Sequence, residues 1–82
     1  FWFGKRSYNE RKQQEWRRKL YDAINRKREQ ISKLERQISD LQYKMSNMRN
    51  QEYINNMNRW IDEKNAKIRE LEIAIQDMES KL

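Results

Sequence analysis

The chain has 82 residues, 39% of them charged, with one Gly, no Pro, no Cys and no His. That length allows at most one small domain. The missing Pro and near absence of Gly disfavour turn-rich sandwiches and barrels. Without Cys and His there is no disulfide framework and no ordinary zinc, haem or iron–sulfur site. The same gaps, with no Gly-rich loop, remove most catalytic machinery, so the chain is expected not to be an enzyme and to need no cofactor, metal or small-molecule substrate. Net charge is +6, and it is uneven. Residues 1–36 hold 12 Lys/Arg against 5 Asp/Glu, and residues 37–82 hold 7 against 8.

The chain opens on Phe1-Trp2-Phe3-Gly4, followed at once by Lys5 and Arg6. Aromatic rings beside cations suit the edge of a lipid surface, a docking contact with a partner, or a loose end. The stretch continues with Arg11, Lys12, Trp16, Arg17, Arg18 and Lys19. A basic segment of this kind attracts anionic lipid, nucleic acid or an acidic protein. Nucleic acid is the weaker of these expectations, because Glu10 and Glu15 interrupt the cations and no Gly-containing recognition loop is present. Ser7-Tyr8-Asn9-Glu10 fits the Ser-x-x-Glu capping box and predicts a helix beginning near residue 7. No stretch has the ~18 apolar residues needed to cross a bilayer, and no signal peptide is visible. A soluble protein, cytoplasmic or at the membrane periphery, is expected. The first residue is Phe rather than Met, and a membrane span upstream would change that expectation.

From Leu20 the apolar residues follow a heptad: Leu20, Ile24, Ile31, Leu34, Ile38, Leu41, Met45 and Met48. A second run follows in Ile54, Met57, Ile61, Ile68, Leu71, Ile75, Met78 and Leu82. Each run has one gap, filled by Lys27 and by Lys64 at a d position. The stretches 31–45 and 68–82 also align at an offset of 37, as two heptad segments can by duplication or by shared period.

Between Met48 and Ile54 the seam steps by six residues where four are expected. Coiled-coil interruptions insert three or four residues, so a turn explains the shift better than one long helix. Folding the chain so that paired residues sum to 102 sets Met45 on Met57, Leu41 on Ile61, Leu34 on Ile68 and Ile24 on Met78. It also places Lys27 and Lys64 in different layers, opposite Ile75 and Ile38, with their amines reaching solvent. Arg28 and Glu72 then share a flank and are expected to pair. A continuous rod-like coiled-coil dimer is the alternative, and in its parallel form Lys27 would stack on its own copy. The fold class expected is therefore all-α, a two-helix antiparallel coiled-coil hairpin. Helix 1 covers about 7–48, the turn about 49–53 with Asn50 as a left-handed or capping residue, and helix 2 about 51–82. Helix 1 would project about 12 residues beyond helix 2, carrying Trp16 and the basic cluster. The organisation is an aromatic and basic segment at 1–6, then one hairpin at 7–82 with a basic overhang at 7–19.

Beside the seam of helix 2 lie Tyr53, Trp60 and Ala74 at g, with Ala66 and Ile73 at f. Large apolar residues outside a filled seam imply a further surface to cover them. A two-helix pair of this size is also marginal alone. Both point to a structural or interaction protein that assembles with itself or with another helical protein. The acidic groups Asp62-Glu63 and Glu70/Glu72 read as a solvated face, and the Asn-rich run 47–58 as turn and cap chemistry.

Trp2-Phe3-Gly4-Lys5 ahead of a heptad run resembles the junction after the membrane helix in bacterial septum-initiator division proteins. The match covers four residues, and those proteins do not return as a second long helix. In size and hairpin plan the chain is similar to type III needle subunits and Gram-positive type VII partner proteins. Its turn has neither the Pro-rich motif of the first nor the Trp-x-Gly of the second. These resemblances imply, as a further alternative, a partner or subunit of a bacterial secretion or envelope assembly.

Overall fold

A computed structural model of the chain describes residues 2–82, with side chains from Tyr8 onward. It is an all-α hairpin of two helices, α1 (Trp2–Ser46) and α2 (Gln51–Ser80). The two pack along each other in a rod of 74 × 16 × 12 Å. The continuous rod-like alternative is thereby set aside: the six-residue step in the seam is where the chain turns back.

Packing follows the heptads. Ile38, Ile61 and Ile68 form the centre of the core, with Ile31, Leu34, Leu41 and Met45 against it. Met57, Leu71 and Ile75 are buried further along α2, and Ile24 on α1. Burying side chains of this size is what holds the hairpin, at about 1.5–3 kcal/mol for each one fully covered. Coverage is unequal, however. Leu20, Ile31, Leu34, Leu41 and Met45 on α1 are only half-buried, because a two-helix pair shields each seam from one side.

The helix ends differ from the sequence expectation. α1 runs from Trp2 straight through Ser7-Tyr8-Asn9-Glu10, so that motif does not start a helix. A Ser-x-x-Glu box needs a non-helical residue at its first position, and the good helix formers Lys5 and Arg6 carry the helix past it. The overhang of α1 is correspondingly longer than expected. α1 stops at Ser46 rather than Met48. There Ser46 Oγ and Asn47 Nδ2 donate to the Tyr43 carbonyl at 2.7 and 3.3 Å, and the Met48 N–H donates to the Met45 carbonyl at 3.1 Å. These bonds use up carbonyls of the last turn and swing Met48 out to 40% exposure, so it closes its layer against Ile54 poorly. α2 likewise stops at Ser80, leaving Leu82 exposed beyond it.

The connection is Asn47–Asn50, slightly earlier than the expected 49–53. Asn50 is the N-cap of α2 in an extended conformation (φ −80°, ψ 113°), not a left-handed one. Its side-chain oxygen accepts from the Glu52 and Tyr53 N–H groups at 3.0 and 3.4 Å. Glu52 in the first turn complements the helix dipole. Two of the orphan donors are thus satisfied without glycine. Replacing Asn50 by Ala should cost about 1 kcal/mol of stability, whereas Asn50→Asp should cost little. Urea unfolding followed by circular dichroism reads both. Equal losses from the two would contradict the capping role.

Candidate interaction surface

The two flanks of the hairpin are chemically unlike. One is built from the e positions of both helices and is polar apart from the exposed Tyr21. On it Arg28 donates to Glu79 Oε1 at 2.6 Å. The expected partner, Glu72, is on the same flank but one heptad away. Side chains on a helix lean toward its N-terminus, so in an antiparallel pair Arg28 leans toward the end of α2 while Glu79 leans back toward it. Glu72 leans the same way as Glu79 but from the other side of the level of Arg28, and so away from it. Both groups are about half exposed, so the pair contributes about 0.2–1 kcal/mol at most.

The opposite flank is built from g positions and is open. Trp60 lies there, 47% exposed, over a cleft of about 340 Å³ lined with Gln37, Asp40, Leu41, Lys44, Glu63 and Lys64. A second cleft of about 300 Å³ follows along the same flank, with Leu34 and Leu71 in its wall and Gln30, Lys33, Gln37 and Lys67 around them. The two clefts share Gln37. Seam leucines are therefore reachable along this groove. Lys64 reaches across it, donating from Nζ to Gln37 Oε1 at 2.8 Å. The expectation that this amine simply reaches solvent is corrected: the half-buried position favours a bond to the nearest acceptor. Lys27 is half-buried, as its seam position requires.

The residues expected to bind a partner do not form one stripe. Tyr53 and Trp60 are partly exposed and Ala74 is half-buried, all at g beside the groove. Ala66 and Ile73 are exposed at f, on the outer face of α2. Ile73 is 13 residues from Trp60, which at about 100° per residue puts it about 140° round the helix. A partner covering the groove would leave Ile73 in water.

α2 ends near the level of Leu20, so nothing in the hairpin covers α1 before it. On that overhang Arg11, Lys12, Trp16, Arg17, Arg18 and Lys19 are all exposed. Lys12 Nζ sits 5.5 Å from the centre of the Tyr8 ring, a cation–π distance. The cations do not form a single face. Lys12 and Lys19 share one side, Arg11 and Arg18 line a shallow surface with Gln14 and Glu15, and Arg17 occupies a seam position. With Glu10, Gln13 and Arg17 at its a and d positions, the overhang does not continue the apolar seam. The aromatic and basic residues Phe1, Trp2, Phe3, Lys5 and Arg6 lie outside the described side chains. Among the described residues no cluster of three acidic groups could hold a metal ion, and no helix is long and apolar enough to cross a membrane.

No family model matches this chain, and neither does any curated protein or solved structure.

Lys64 tests how the groove is held. Lys64→Leu should stabilise the hairpin by about 1 kcal/mol, since leucine fills an apolar layer and Gln37 can turn to water. Denaturant unfolding measures it, and a lower stability would mean that the bond to Gln37 outweighs the packing gain.

Proposed function

We propose that this chain is a non-enzymatic structural or interaction protein, a coiled-coil hairpin that assembles with itself or with another helical protein. The observation that carries the reading is the open g flank. Trp60 is half exposed there, beside half-buried seam leucines that one more pair of helices would cover. Removing these groups from water is favourable, and the hairpin alone leaves that gain unused. In this reading Tyr53, Trp60 and Ala74 touch the partner, while Ala66 and Ile73, on the outer face of α2, lie outside that contact. Equilibrium sedimentation across the micromolar range tests it. Assembly that is weakened by Trp60→Ala is expected, whereas a stable, fully helical monomer throughout would overturn the reading.

A second reading is supported by the overhang, where five exposed cations and Trp16 stand on bare helix. It makes residues 1–19 a binding segment for an anionic surface, with lipid ahead of nucleic acid. Binding to anionic vesicles should then survive raised salt through aromatic insertion, whereas RNA binding should fall steeply. No binding to either at low salt would end this reading and leave the first one standing.

A further inference from the structure

We infer that the partner on the g flank is a second copy of this chain, seated face to face about a two-fold axis parallel to the helices; this rests on the assembly reading above. Charge selects this partner and this orientation. Outside the groove, the next row on each helix is the c position, seven residues apart. On α1 that row reads Lys12, Lys19, Arg26, Lys33 and then Asp40. On α2 it reads Asn56, Glu63, Glu70 and Asp77. The groove is thus bordered by a basic rim on one helix and an acidic rim on the other; between them lie Trp60, Tyr53, Ala74 and the seam leucines together with Gln30, Gln37, Lys44, Lys64 and Lys67. All of the rim side chains are exposed.

Two hairpins can stack on the same flank in two symmetric ways. A two-fold across the long axis lays α1 on α1 and sets basic rim on basic rim. A two-fold along the long axis lays α1 of each copy on α2 of the other and sets basic rim on acidic rim, twice. Only the second is complementary, and it is isologous and therefore closed. Both arrangements make every neighbouring pair of helices antiparallel, the usual plan of a four-helix bundle, so the rims alone separate them.

The axis leaves positions along the helices unchanged, so the register is that of the hairpin itself. Arg26 then meets Asp77 of the second copy, and Lys33 meets Glu70. In the single hairpin those acids hold local partners, Lys81 at 3.4 Å and Lys67 at 3.6 Å. Such exposed pairs are weak and exchange readily. The two Trp60 rings come to one level on either side of the axis. The third rung is less favourable, since it brings Asp40 near Glu63; Lys44 and Lys64 line the same cleft. The extra length of α1 projects from one end of the pair, where both overhangs lie together.

Charge exchange tests the arrangement. One variant carries Arg26→Glu and Lys33→Glu, the other Glu70→Lys and Asp77→Lys. All four positions are exposed, so helicity should hold, and circular dichroism checks it. Sedimentation of each variant alone should show the dimer dissociation constant raised at least about tenfold, because both rims repel. Mixed one to one, the variants should recover dimer, since each heterologous rim is again complementary. A single chain carrying all four substitutions should also dimerise, which keeps the test valid if either double variant loses helicity. Trp60→Ala should weaken the dimer and Ile73→Ser should not. Variants that dimerise as well as the original chain, a mixture and a fourfold variant that both stay monomeric, or an oligomer larger than two would overturn this inference and leave assembly standing. An original chain that is monomeric throughout would overturn both.

Discussion

Each helix here carries an apolar stripe that is wider than one neighbour can cover, and the rest of the structure follows from that. The seam residues of α2 are mostly buried, while those of α1 from Leu20 to Met45 are mostly half-buried. Pairing two helices removes the stripe's centre from water and leaves its edge. On the e flank the edge is polar apart from Tyr21, and Arg28 pairs with Glu79 across it. On the g flank it is lined by Trp60, Tyr53 and Ala74 and stays open. The asymmetry between flanks, rather than the seam itself, is what gives the hairpin a side to be used.

The polar insertions have the opposite effect, limiting which alignment the apolar residues adopt. Lys27 and Lys64 sit in different layers of the seam, both half-buried, and Lys64 bonds Gln37 rather than reaching the other lysine. A shifted register would bring lysines into layers now filled by leucine, a cost that specifies the pairing. The overhang obeys the same logic. Glu10, Gln13 and Arg17 occupy its seam positions, so the apolar seam of α1 does not continue into it.

Much of this was legible in the sequence, because heptad phase is a strong and periodic signal. The six-residue step between Met48 and Ile54 located the turn, and the register summing to 102 placed Leu41 on Ile61 and Leu34 on Ile68, which the core contains. Helix ends were less legible. Ser7-Tyr8-Asn9-Glu10 has the pattern of a cap, but a cap also needs the preceding residues to leave the helix, and nothing there makes them. Met48 continued the period, yet hydrogen bonds from Ser46 and Asn47 ended the helix before it. Arg28 was placed on the right flank with the wrong acid, since a pairing rule by level ignores the lean of long side chains. Ile73 was grouped with Trp60 because both are apolar and outside the seam. Their angle about the helix separates them. The charged rows outside the groove were present in the sequence, but they acquire meaning only once the flank they border is known to be open.

The open flank and the overhang both require the chain to fold back on itself, and one distance tests that. Spin labels at positions 29 and 73 occupy exposed sites at the same level on the two helices. Diluting labelled chain into unlabelled chain isolates the distance within one molecule. The hairpin predicts a separation under about 30 Å, from two helix widths and the reach of the labels. A continuous helix would hold the same sites 44 residues apart, about 66 Å. A distance near that value would contradict the hairpin, and with it the open flank and the overhang.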